Sequence, residues 1–257
     1  MEYLVVCLVA LLASALTLFS GFGLGTLLLP AFLVFFPAEL AVGMTAVVHF
    51  LNNIFKFVLL GRLADRSVVL SFGLPSIAAS FAGAWLLVTA SDAPSLGSYE
   101  AFGQERMLLP VNIVIGVLIT VFAFLELPQQ RKRPSAGTRQ LVVGGLLSGF
   151  FGGLSGHQGA LRSAFLLRVG LSREVFIASG VVISCLVDVS RIGVYAEHLI
   201  GRPEAVPWNL VAAAAGSAFV GAVAGRMTMG AVTMEGIRRL IAVLLIIVGA
   251  GVASGLL

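Results

Sequence analysis

Charge is scarce in this chain. Asp, Glu, Lys and Arg make up 11% of 257 residues, where a water-soluble domain carries roughly 25%. So few charges cannot cover a water-facing surface, which excludes a soluble globular protein. Cysteine occurs twice, as Cys7 and Cys185, each inside apolar sequence. That excludes a disulfide framework, and neither cysteine is expected to bind metal. The 3 histidines are scattered and do not form a metal site. The His-Glu-x-x-His, Gly-x-Ser-x-Gly, P-loop and Cys-x-x-Cys signatures are missing, so neither an enzyme nor a bound cofactor is expected. The apolar run from Tyr3 lacks a basic n-region and a clear cleavage site, so no cleavable signal peptide is expected.

What the chain does have is apolar sequence, at 59% of residues with a mean hydropathy of +1.06. The pattern predicts an all-α, polytopic membrane protein. Segments 41–61, 68–89, 107–127, 174–195, 208–225 and 240–257 are long enough to cross a bilayer. Two further stretches, 3–36 and 141–169, are apolar but interrupted by glycine. Each predicts a helix–break–helix hairpin of short pieces, giving eight to ten membrane segments in all. The net charge of +4 does not indicate nucleic acid, because the basic residues sit in short loops, where they set topology. Loops 62–66, 128–140 and 226–239 are basic and predicted cytoplasmic. Loops 91–106 and 197–207 are predicted external, with His198 in the latter merely solvated. The first hairpin then enters from outside and the second from inside. Residues 1–134 and 135–257 are expected to form two inverted repeats of one membrane domain, each a hairpin plus three crossings.

Weak internal similarity agrees. At an offset of about 135, Asn53 falls on Asp188 and Lys56 on Arg191, while Gly25 falls on Gly159 and Thr45 on Ser179 at about 134. Ser80-Phe81-Ala82-Gly83-Ala84 resembles 217–222 with one insertion.

The candidate site residues lie in and after the glycine interruptions. Gly21, Gly23 and Gly25 lack both the spacing and the preceding strand of a dinucleotide fingerprint. A broken membrane helix frees backbone N–H groups at the start of the second piece, and these favour an anion. The alternative use of such glycines is close helix packing. Arg162 follows the second break by one turn and can bind an oxyanion bidentately. Lys56 and Arg191 are cations deep in their crossings. Each faces the cavity or snorkels to the interface. Asn52, Asn53 and Gln158 can orient an anion, with His157 and Gly159 beside them in the break. His49, His157 and Asp188 are the candidates for carrying a coupled proton, and Asp188 can also pair structurally with Arg191 on the same helix face.

With these residues in view, the chain resembles the TauE/SafE sulfite exporter family of bacterial membrane permeases. The likeness rests on Gly21-Phe22-Gly23-Leu24-Gly25 with Pro30 and on Ala41-x-x-Met44-Thr45 leading to Asn52-Asn53. In the second half it rests on residues 149–156 (Gly-Phe-Phe-Gly-Gly-Leu-Ser-Gly), Gly159 and Ala178-Ser179. The resemblance implies two related halves, a bacterial inner membrane location, and movement of small sulfur-containing anions such as sulfite or sulfonates. The expected partners are that anion and the bilayer, and the sequence allows a homodimer. A passive anion channel and a non-transporting membrane assembly protein are the alternative readings.

Overall fold

The computed structural model describes residues 1–20, 23–125, 137–200, 206–227 and 234–257. Gly21, Phe22, the basic connector with Arg131, Lys132 and Arg133, the expected boundary near residue 134, the loop bearing Arg202 and Glu204, and the His198 side chain lie outside the described residues.

The chain is helical almost throughout. In order it forms α1 (Glu2–Ser20), α2 (Leu24–Leu33), α3 (Ala38–Leu60), α4 (Arg66–Val68), α5 (Leu74–Ser91), α6 (Pro110–Leu125), α7 (Thr138–Ser155), α8 (Gln158–Leu166), α9 (Arg173–Ile200), α10 (Trp208–Met227) and α11 (Met234–Ala253). A π-helical turn, Val69–Gly73, joins α4 to α5. Asp65 caps the run by accepting from the Val68 N–H at 2.9 Å. Spans Ala38–Leu63, Arg66–Ser91, Arg173–Ala196 and Trp208–Gly225 are long and apolar enough to cross a membrane. Four of the predicted crossings therefore stand as full-length helices, that at 107–127 folds as the 16-residue α6, and that at 240–257 falls largely within the 20-residue α11.

The hairpins differ from expectation in their first arms. Helix α1 has 19 residues and α7 has 18, each about 27–28 Å at 1.5 Å per residue, close to the ~30 Å core. The second arms, α2 with 10 residues and α8 with 9, reach about half that depth. The second interruption is narrower than the glycine run: α7 continues through Gly152 and Gly153, and only Gly156 and His157 break it. Gly156 has φ +79, a left-handed C-cap conformation that glycine adopts without a Cβ penalty. The predicted polar loop 91–106 contains a small β-hairpin, β1 (Ser98–Ala101) antiparallel to β2 (Gln104–Met107).

Apolar side chains divide by side. On α1, Val6, Ala10 and Ala13 are buried while Leu4, Leu8 and Leu12 are exposed. An outward stripe at helical spacing is what a helix against lipid presents. The interior is close-packed through small residues, since lipid supplies no hydrophobic force between helices.

The dominant helix pairs are α5 with α7, α1 with α10, α6 with α11, and α3 with α9. Exchanging the first five long elements of each half maps this set onto itself: α1 answers to α7, α5 to α10, and the other two pairs to themselves. The two glycines of the weak sequence repeat occupy answering places. A Cβ on Gly83 of α5 would overlap the Phe150 carbonyl oxygen of α7, and one on Gly221 of α10 would overlap the Leu11 carbonyl oxygen of α1. Gly83→Ala and Gly221→Ala are each expected to cost about 3 kcal/mol, because backbone cannot yield as a rotamer can. Thermal unfolding of the purified variants in detergent checks this, and a wild-type melting temperature in either contradicts it.

Candidate functional site

The two interruptions meet. A Cβ on Gly23 would lie 3.7 Å from Gly159 Cα, and one on Gly25 would lie 3.2 Å from the Gly156 carbonyl oxygen. Gly23 caps α2 with extended backbone and no side-chain hydrogen bond. His157 caps α8, also with no side-chain bond to the helix it caps. Two helix N-termini thus come together with first-turn N–H groups that no side chain caps. The second arms leave this point in different directions. The turn after α2 shares a recess with Asn112 and Val252, whereas Leu166 of α8 and Leu171 beyond it pack with Val68 and Phe72 at the start of the α4–α5 run.

Helices α3 and α9 cross beside this point and carry the polar residues. Asp188, fully buried, accepts from four donors. At one oxygen these are His49 Nδ1 at 2.6 Å and Asn53 Nδ2 at 3.1 Å. At the other they are Gln158 Nε2 at 3.2 Å and Arg191 Nε at 3.0 Å, with Arg191 Nη2 in ion-pair contact at 2.8 Å. The helical spacing of His49 and Asn53 brings both to one face of α3, opposite Asp188 on α9. Arg191 also donates to the Gly152 carbonyl at 3.4 Å. This cluster ties α3, α7, α8 and α9 together, and its carboxylate and guanidinium neutralise each other.

A cavity of about 360 Å³ opens on one side of the crossing. Gly23, His49, Asn52, Asn53, Lys56 and Arg162 line it, together with Thr17, Ser163, Arg173 and the Gly180 region of α9. Lys56 is buried and donates to Thr17 Oγ1 at 3.0 Å, so it does not snorkel. Arg162 donates to Ser184 Oγ and, at 3.3 Å, to Gln158 Oε1. Gly180 leaves room for its guanidinium, since a Cβ there would lie 3.3 Å from Arg162 Nε. Among the described residues, Asp188 pairs with His49 and Arg191, and neither Lys56 nor Arg162 has a carboxylate within salt-bridge distance. Asn52 is held through Oδ1 by Ser14 at 3.1 Å, and its Nδ2, a buried donor, has no partner. Lys56 and Arg162, with Arg173 beside them, an unused amide donor and an uncapped helix end therefore face one small cavity.

The structure brings five of the sequence-predicted binding residues to this cavity, Gly23, Asn52, Asn53, Lys56 and Arg162, together with the proton-coupling candidate His49. Gly25, His157, Gln158, Gly159, Asp188 and Arg191 stand behind it, in the contact between the breaks and the buried ion cluster. Arg191 is held by Asp188 and points no donor into the cavity lining. Sequence reading passed over Thr17, Ser163, Arg173, Gly180 and Ser184. Arg173 had a signal, as a cation at the start of a crossing; the others are small residues on apolar helices and had none. Among the described residues no His, Cys, Asp and Glu group is arranged to hold a metal ion.

A family model described as sulfite exporter TauE/SafE matches residues 6–252, nearly the whole chain. No curated protein matches it.

Proposed function

The chain belongs to the sulfite exporter TauE/SafE family, and we propose that it is a secondary transporter of a small sulfur-containing or organic anion, such as sulfite or a sulfonate, in the bacterial inner membrane. The carrying observation is the cavity where the helix breaks meet, with Lys56 and Arg162 unneutralised inside it. Two desolvated cations without carboxylates are costly in a low-dielectric interior, and an entering oxyanion offsets that cost. Arg162 and Lys56 attract the anion, Asn52 and Asn53 orient it, and the α2 N-terminus accepts its charge.

The swapped helix pairing supports two inverted repeats, with the cavity as one of two alternately opened sides. The cavity ends where Gly25 packs on Gly156, which favours a gated transporter over a continuous pore. His49 and Asp188, hydrogen-bonded across the two halves, are where a coupled proton would reside, with His157 in the neighbouring break.

Reconstitution into liposomes tests the reading. Flux of sulfite and of a sulfonate panel is expected to saturate with concentration and to compete among substrates. Flux that rises linearly without competition supports a channel instead, and no flux of any anion rejects both.

A further inference from the structure

Three buried polar atoms without hydrogen-bond partners among the described residues, Thr26 Oγ1, Thr45 Oγ1 and His157 Nε2, gather around the contact between Gly25 and Gly156. Thr26 follows Gly25 and His157 follows Gly156. Thr45 reaches the same point, its Cγ2 3.7 Å from where a Gly25 Cβ would be. Thr26 and Thr45 are each 1% exposed, as is His157. Other helical hydroxyls have partners: Thr120 donates back to the Gly116 carbonyl at 2.9 Å, Thr89 to Trp85 at 3.1 Å and Ser91 to Leu87 at 2.9 Å, and Ser14 and Ser148 donate across to Asn52 and Gln158. Thr45 could do the same toward Ala41 and does not. Thr26 sits in the uncapped first turn of α2, with its hydroxyl 3.4 Å from the position of a Gly23 Cβ. His157 keeps Nδ1 on the Ser155 carbonyl at 3.1 Å, and its ring stacks on Phe122 at 5.1 Å, which leaves Nε2 turned to nothing.

An unsatisfied buried polar group costs about 1–3 kcal/mol, and each such group in a native structure calls for an explanation. Three in one place are explained if another conformation satisfies them. Their position says which. Along α3 the cavity residues run from His49 to Lys56, and Thr45 lies one turn to the other side of His49. Along α2, Thr26 lies beyond Gly23, toward the turn 34–37. That turn borders a second recess, of about 250 Å³, with Asn112 and Val252.

We propose that Thr26, Thr45 and His157 form a second station for the same oxyanion, on the far side of the Gly25–Gly156 constriction, used when that contact parts and the cavity side closes. The inference rests on the transport reading and extends it with residues outside the cavity. Two hydroxyls and the α2 first-turn N–H groups donate to the anion there. His157 Nε2 accepts from its water or from a protonated oxygen.

Two measurements test it in an active background with Cys7 and Cys185 replaced by alanine. Thr45→Val, which keeps shape and removes the hydroxyl, is expected to raise the KM for sulfite about tenfold with no loss of thermal stability. Thr45→Ser is expected to restore the KM. A purely structural hydroxyl would leave the KM unmoved. Thr26→Cys and Thr45→Cys are expected to react with a membrane-impermeant thiol reagent from the face opposite to that which labels Leu171→Cys at the cavity. An unchanged KM in Thr45→Val overturns the station. So does labelling of both cysteines only from the Leu171 face, or from neither face. If wild-type protein carries neither sulfite nor any anion of the sulfonate panel, the transport reading fails instead, and the labelling still decides whether the constriction opens.

Discussion

Arg162→Ala is expected to reduce anion flux about a hundredfold, and Arg162→Ala with Lys56→Ala is expected to abolish it. A hydrogen bond to a charged group contributes roughly 1.5–3 kcal/mol, and about 1.4 kcal/mol is tenfold in affinity. A forked guanidinium meeting an oxyanion supplies two such bonds. The loss should fall mainly on KM, because among the described residues Arg162 hydrogen-bonds to Ser184 and Gln158, and neither carries charge. Removing it therefore leaves no buried carboxylate unpaired, and the folded protein should survive. Arg162→Lys keeps the charge without the fork and should retain an intermediate flux. The liposome assay reads this directly. Wild-type flux in the double variant would end the proposal that these cations attract the substrate.

Asp188→Ala is expected to act on folding before it acts on transport. Asp188 accepts from His49, Asn53, Gln158 and Arg191, so its loss strands four donors, one a guanidinium with no exposure. Removing one partner of a buried ion pair costs about 3–5 kcal/mol. The variant should unfold well below the wild-type temperature in detergent. Removing both charges, as Asp188→Leu with Arg191→Met, should recover much of that stability, because the stranded guanidinium is gone. Flux should stay low in the double variant if the cluster carries a proton or positions His49. A wild-type melting temperature in Asp188→Ala would show that the cluster contributes little to the fold.

The two variants separate two kinds of buried charge that look alike on paper. Lys56 and Arg191 fall at matching places in the weak repeat, and sequence position treats them as a pair of deep cations. In the folded chain Arg191 is neutralised by Asp188, three residues before it on α9, whereas Lys56 meets only a hydroxyl. Local spacing made the first pairing readable. That Lys56 meets no carboxylate among the described residues depends on what α1, α8 and α9 bring to it, and no spacing within α3 contains that.

Much of the architecture was determined by composition and order. Scarce charge and long apolar runs allow only a membrane bundle, and glycine interruptions in two apolar stretches locate the breaks, because an open backbone in lipid must line protein or water. Length misjudged the first arms, since α7 runs on through Gly152, which packs against Gln158 and Val187, and Gly153, which packs against α5, instead of breaking there. Whether a glycine ends a helix or seats a neighbouring one depends on the atoms opposite it, and those come from distant parts of the chain. The same reason sets the limit at the site: polar residue types and their helical faces are properties of the sequence. Which cations stay unpaired, which hydroxyls lose their partners, and where the two breaks touch were decided only when α2 met α8 and α3 crossed α9.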